Sequence, residues 1–243
     1  MDPLAPLLDL PGVADAVATT RDALVPVHNH KVNRRGFPAT AAEAALRAAR
    51  ASAALEGAPL VPVREEHVTH PVLAGAVRVA DEGGKLVGVW KAAPLQALAR
   101  LHVLAATDLA PSDTLGRPRE GASARLGMLA DLVTGGTSVP APVLVAVVHG
   151  ELLALRPFGT ADAVVARAAA RLTAVSTGLD PKALAVPEVG HLRRAAEYRA
   201  AAVAFATGSP DGLREWIVHV CAAWQVGARE GMSIAEARSD PTR

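Results

Sequence analysis

The chain has a single cysteine, Cys221, and aromatic side chains make up only 3% of its 243 residues. One thiol excludes an internal disulfide and any thiolate-rich zinc site. With so few aromatics, a core must come from Ala, Leu and Val, which supply most of the 51% hydrophobic content. These side chains fill space in small increments and favour close helix–helix approach. Ala and Leu are also the best helix formers, so the composition leans all-α. A charge surplus is lacking too: Lys+Arg total 25 against 24 for Asp+Glu, a net charge of +1. Neither a nucleic acid nor an anionic membrane is expected as a partner. Met1 to Pro11 has neither the charged start nor the apolar stretch of a signal peptide. The most apolar run, Ala141 to Leu155, is too short for a bilayer span and is interrupted by His149 and Glu151. A soluble, cytoplasmic chain is the expectation.

The length suits one helical domain with a helical N-terminal extension. Residues 13–35 read as a helix ending in a polar, basic stretch from His28 to Arg35. Pro38 then leads into a second, Ala-rich helix over 41–56, stopped by Gly57, which accepts the left-handed conformation. Pro59, Pro62 and Pro71 frame a connector, and a helix over 71–81 is expected to end at Gly83-Gly84. From Ala93, Leu95, Leu98, Leu101 and Leu104 recur every three residues near one helix face. A loop around Pro111 and 116–121 follows, where a short β-ribbon near 114–120 is the most strand the sequence admits. Leu126, Leu129, Leu132 and Val133 mark another helix, stopped by Gly135-Gly136. Ala141 to Leu155 is apolar nearly all round, the mark of a central buried helix in a soluble chain. Pro157 and Gly159 break it, Ala161 to Thr177 resumes, and helices near 188–206 and 210–229 precede a polar tail over 231–243.

Four stretches carry a resemblance. Arg156-Pro157-Phe158-Gly159-Thr160-Ala161-Asp162-Ala163-Val164-Val165-Ala166-Arg167 follows the central helix. Ser52-Ala53-Ala54-Leu55-Glu56-Gly57 closes the Ala-rich helix near the N-terminus. Arg100 to Leu104 lies before the loop, and Tyr198 to Trp216 holds two helices about the turn Gly208-Ser209-Pro210. In order and spacing these pieces resemble the Fic (Fido) family, whose motif H-P-F-x-D/E-G-N-G-R-x-x-R follows a long central helix. Pro157, Phe158 and Arg167 match that motif. The histidine, the acidic residue, the Gly-Asn-Gly core and the first arginine do not. Ser52, Glu56 and Gly57 fit the family's inhibitory motif, S/T-x-x-x-E-G/N. The resemblance covers residues 42–230 and implies an all-α Fic-like bundle over 42–230, with an inhibitory helix over 41–57 and an N-terminal helical extension over 1–41.

Active relatives, as the resemblance implies, move AMP from ATP to a protein hydroxyl. The histidine acts as general base, the acidic residue binds Mg²⁺, and the glycine-rich turn holds phosphates at a helix N-terminus. Here Arg156 stands at the base position, and a guanidinium, always protonated in proteins, accepts no proton at neutral pH. Thr160 offers a neutral hydroxyl where Mg²⁺ prefers carboxylate oxygen. Ala161 and Ala163 add Cβ atoms where phosphate would approach the backbone. Asp162 puts a carboxylate in the first helical turn, where the dipole favours it and where phosphate charge would sit. The loop is therefore expected to be self-filled, with Asp162 as internal anion and Arg156 as its partner. The resemblance also implies a pairing of Glu56 with Arg167, read either as a surviving regulatory contact or as a pin between the N-terminal helix and the core.

Other candidates read more simply. His67-Val68-Thr69-His70 has a helical metal-site spacing but lies in a Pro-flanked connector beside Glu65 and Glu66, so no metal site is expected. His28 and His30 read as a solvated polar stretch. His149 reads as a core histidine with a satisfied hydrogen bond. Cys221 and the three tryptophans Trp90, Trp216 and Trp224 read as packing residues.

The function implied is that of a degenerate Fic-like protein without AMP-transferase activity, which acts by binding a protein partner or a nucleotide-like ligand. No cofactor is then required. The alternative is an active protein adenylyltransferase with altered catalytic residues, which would need ATP and Mg²⁺ and in which Arg156 clamps phosphate. A purely structural or scaffolding helical protein, such as a homodimer, is the third reading.

Overall fold

The structure, a computed structural model, describes residues 2–60 and 69–239. A 3-10 turn over Ala5–Asp9 leads into α1 (Val13–Asn29), and α2 (Lys31–Leu55) follows after a break at His30. Then come α3 (Pro71–Ala92), α4 (Pro94–Ala106), α5 (Ser123–Asp131) with a π-turn over Leu132–Gly136, and α6 (Ala141–Leu155). The chain ends with α7 (Asp162–Ser176), α8 (Pro187–Arg193), α9 (Ala195–Ala206) and α10 (Pro210–Ala237). Among the described residues every regular element is helical, and the stretch 114–120 is turn and coil without a strand.

α6 sits at the centre because it is apolar all round. Leu144, Val148 and Leu152 face one core, shared with Trp90 and Leu86 of α3, Leu98 and Leu101 of α4, and Val165 and Ala169 of α7. Val143, Val145 and Val147 face the other, shared with α1, Tyr198 and Phe205 of α9, and Trp216, Ile217 and Trp224 of α10. α2 is laid along α3, α8 and α10, so its C-terminal turn reaches the start of α7.

Four elements depart from their expected bounds. The first helix ends at His30, not at Arg35, and α2 is kinked at Gly36, two residues before Pro38. Proline lacks an N–H and its ring crowds the carbonyl four residues back, which accounts for that kink. Gly83-Gly84 does not stop α3. Leu86 and Trp90 continue its buried face, and packing against α2, α4 and α7 outweighs the weak helix propensity of glycine. The expected helix over 188–206 is broken at Arg194, where φ is −124° and ψ is 44°. The polar tail is shorter than expected: α10 continues through 231 to Ala237 because Ala228, Gly231, Ile234 and Ala235 keep one face buried. Ile234 packs there on Ala44, Ala48 and Val186.

Among the described residues no helix is long and apolar enough to cross a membrane. Nor does any group of three or more His, Cys, Asp or Glu side chains stand close enough to hold a metal ion. His67, with Glu65 and Glu66, lies outside the described residues.

Candidate functional site

The turn joining α6 to α7 is built from unusual backbone. Arg156 caps α6 in the left-handed region at φ 47°, Gly159 follows at 80°, and Ala161 caps the start of α7 at 54°. For the two non-glycine residues this conformation costs roughly 1–2 kcal/mol each, so surrounding contacts must hold it. They come from within the loop and from the segment before α5. Asp162, only 6% exposed, turns back into the loop and accepts the Phe158 N–H at Oδ1, 2.9 Å away. Arg119 donates its backbone N–H to the Pro157 carbonyl at 2.7 Å. Its guanidinium donates to the carbonyls of Arg156 at 2.5 Å and Leu155 at 3.2 Å, satisfying acceptors that a helix end leaves open.

Asp162 thus takes a backbone amide of its own loop, and the expected pairing with Arg156 is absent. Arg156 is exposed and makes no ion pair with it. The left-handed cap turns the Arg156 side chain out to solvent, and the first contact of Asp162 is a backbone amide. Burial pushes the Asp162 carboxyl above the usual range, while the Phe158 and Gly159 amides and the charges of His102 and Arg119 act against that rise. Its Oδ2 is buried and has no hydrogen-bond donor. Thr160, beside it, lies half-buried in the bend.

His102, whose charge bears on Asp162, is not singled out by the sequence. It is 1% exposed and stacks on Phe158 with ring centroids 4.2 Å apart and planes within 6°. Its Nδ1 accepts the Gly116 N–H at 2.9 Å, which assigns the ring proton to Nε2. Burial lowers its pKa, with the Asp162 charge and the Thr160 backbone opposing. Nothing in the spacing of α4 marks this histidine out from the leucines on either side of it.

The second constellation begins at the end of α2. Gly57, at φ 89°, closes that helix, with Ala58 N–H bonded to the Ala53 carbonyl and Gly57 N–H to that of Ala54, the Schellman arrangement. This places Ser52 and Glu56 against α7. Arg167, 2% exposed, donates Nε to Ser52 Oγ at 2.8 Å and Nη2 to the Ser52 carbonyl at 3.0 Å. The same Nη2 lies 3.0 Å from Glu56 Oε1, and Nη1 donates to Tyr198 Oη at 3.2 Å. Burial opposes the Arg167 charge, but Tyr198 and Glu56 outweigh it, so the guanidinium stays protonated.

Behind Tyr198 lies a buried histidine cluster. Tyr198 Oη is 3.0 Å from His149 Nε2. Because Oη already accepts from Arg167, its own proton goes to His149, which then carries its hydrogen on Nδ1. His191 Nδ1 lies 3.2 Å from His219 Nε2. Burial holds His149 and His191 well below the usual histidine range and brings His219 down to about 4. The expected solvated stretch at His28 is not what the fold forms. His28 is not solvated: its Nε2 sits 2.9 Å from Asp180 Oδ1, on a carboxylate that also accepts the N–H groups of Leu184 and Ala185.

A cavity of about 470 Å³ opens between α2, α3 and α7. Arg167 and Ser52 line it, but Arg156, Thr160 and Asp162 do not. Beside Phe158 there is a depression of about 80 Å³, walled by Leu95, Leu98 and Pro118.

No family model matches the sequence, and no curated protein matches it. Solved structures do. A Fic family protein from Desulfovibrio desulfuricans superposes with a TM-score of 0.72 at 20% identity, covering 92% of this chain and 74% of that one. Fic-1 from C. elegans superposes with a TM-score of 0.73 at 15% identity, covering 97% of this chain and 76% of that one. These likenesses establish the fold.

Proposed function

Starting from a Fic-type fold, we propose that this chain does not transfer AMP and works by binding a protein partner or a nucleotide-like ligand. One observation carries the reading: Asp162 Oδ1 holds the Phe158 N–H from inside the loop at 2.9 Å. A loop that cradles phosphate offers its amides to an external anion. Here an internal carboxylate already takes one of them, and its charge would repel a second anion.

The other substitutions point the same way. Arg156 is a permanent cation at the position where the fold's active members need a proton acceptor. The losing of a general base costs about 10²–10⁴ in rate. His102 does not replace it, because the ring is buried against Phe158 and its unpaired Nε2 carries the proton. Thr160 supplies no carboxylate for Mg²⁺, and Ala161 places a Cβ in the left-handed turn. The loop residues therefore do not fit ATP with Mg²⁺.

What the chain keeps is the contact of Ser52 and Glu56 with Arg167, next to a cavity. This is where the binding function is assigned. The test is incubation of the wild-type protein and the Glu56→Gly variant with labelled ATP and Mg²⁺. No label incorporation is expected in either, and incorporation at an ordinary enzymatic rate overturns the reading. A thermal-shift series with ATP, GTP and CDP-choline then separates nucleotide-like ligands from a protein partner.

A further inference from the structure

We propose that the cavity between α2, α3 and α7 is a binding site for a free fatty acid, a single alkyl chain ending in a carboxylate. It lies apart from the loop at Asp162, shares Ser52 and Arg167 with the contact assigned the binding function above, and rests on that reading only in taking this cavity as the binding site.

Its size and lining suit such a ligand. At about 470 Å³ it falls within the range of small-molecule sites, which are mostly apolar with a few placed polar groups. Ala41, Ala45, Val79, Val87, Leu172 and Val175 supply apolar wall from three helices. Along α2 the lining runs from Phe37 to Ser52, which at helical rise is a span of roughly 20 Å. That is room for an extended chain laid parallel to the helices.

Gly83 and Gly84 give an independent indication. Both lie inside α3 and both line the cavity. Glycine is the poorest helix former after proline, so a mid-helix pair needs a reason. Neither has a positive φ, and a Cβ at either position would meet nothing within 4 Å. Backbone geometry and packing therefore leave both positions free to carry a side chain. Gly83 is half-buried and Gly84 exposed, so the effect of having none is an open rim along this side of the cavity.

Charge selects the head group. Among the described residues the lining holds three cations, Arg167, Arg171 and Lys182, against one carboxylate, Glu188. Arg167 is committed at the Ser52 end. At the other end Arg171 spans the Ala185 carbonyl at 2.8 Å and Glu188 at 3.3 Å. Lys182 uses one of its three donors on the Asn33 carbonyl at 3.0 Å, and its Nζ sits 5.6 Å from the ring centroid of half-exposed Phe37. The carboxylate docks at Lys182 beside Phe37, and the tail runs inward toward Arg167.

The experiment is calorimetric titration of the full chain with dodecanoate below its micellar concentration, alongside dodecanol and dodecyltrimethylammonium. Dodecanoate is expected to bind saturably near one per chain, with the neutral and cationic probes about tenfold weaker or worse. Gly84→Leu closes the groove while improving helix propensity. It is expected to melt at or above the wild-type temperature and to lose about tenfold or more in dodecanoate affinity. Ala45→Leu blocks the opposite wall and serves should Gly84→Leu not fold, and Lys182→Glu removes the head-group contact. Absence of saturable dodecanoate binding to the wild type overturns the proposal. So does equal binding of the cationic probe, or unchanged affinity in folded Gly84→Leu or Ala45→Leu.

Discussion

Arg167 and Glu56 lie 111 residues apart in sequence and 3.0 Å apart in space, yet the two ends of their ion pair are unequally buried. The Arg167 side chain is 2% exposed and Glu56 is 35% exposed. The guanidinium also holds Ser52 and Tyr198, so it is the centre of the contact and Glu56 its outer edge.

Removal of the two partners should therefore not be symmetric. Arg167→Ala leaves the buried Ser52 and Tyr198 oxygens without their donor, so it is expected to destabilise by about 1–3 kcal/mol for each and to free the end of α2. Glu56→Ala is expected to cost only about 1 kcal/mol, near the exposed-pair value, because solvent and the remaining acceptors share the charge. Arg167→Lys should resemble the alanine variant more than the wild type, since an ammonium does not reproduce the planar fork. Urea unfolding of the three variants checks the order; equal losses for Glu56→Ala and Arg167→Ala would contradict it.

Asp162 is a buried acceptor whose charge the fold does not need. Asp162→Asn keeps an oxygen for the Phe158 N–H and removes the unfavourable ionisation, so stability at pH 7 is expected to hold or rise. Asp162→Leu leaves that N–H buried and unpaired, with a loss of about 1–3 kcal/mol. Melting temperatures of the two variants decide the matter, and a large loss in the asparagine variant would mean the charge itself is required.

The buried histidines set an acid limit. His149, His191 and His219 have folded pKa values below the ordinary 6.5, with burial as the main cause in each. The unfolded chain therefore binds more protons, and stability rises with pH across the window. The contribution of His219 is complete above pH 6.5 and is lost progressively as pH falls to about 4. Asp162, shifted upward, acts in the opposite sense and offsets part of the loss. Melting temperature should fall steadily from pH 7 to pH 4, and His219→Gln should flatten that slope. A profile flat over this range would refute the neutral cluster.

Two glycines of α3 should respond in opposite ways. A Cβ at Gly75 would lie 2.1 Å from the Ala105 carbonyl oxygen, so Gly75→Ala must push α3 from α4 and is expected to cost about 1–3 kcal/mol or more. Gly84→Ala meets open space and should stabilise by up to about 1 kcal/mol. Denaturation midpoints of the pair test this directly.

The sequence was most informative where one local signal acted alone. The apolar run Ala141 to Leu155 predicts a central helix, and α6 has those bounds. Gly57 predicts a helix stop, and the Schellman turn is there. Local signals misled where tertiary packing opposed them. Gly83-Gly84 looks like a terminator until α3 as a whole is seen to pack on α2, α4 and α7. The charges Arg229, Glu230 and Glu236 mask the buried face of α10, although Glu230 is neutralised by Arg47 and Arg193. The partners of Asp162 and His28 were illegible for a different reason. Asp162 Oδ1 meets a backbone amide and His28 an acid far away in the chain, and side-chain spacing does not encode such contacts.

Because α6 contributes side chains to both cores, neither half of the molecule can open without stripping solvent protection from the same fifteen residues. Its amides should be the slowest in the chain to exchange with deuterium, and they should exchange together, at a rate set by global opening. Fragments divided on either side of this helix would each inherit half a core, so the protein is expected to melt in one step and to resist dissection into smaller folding pieces.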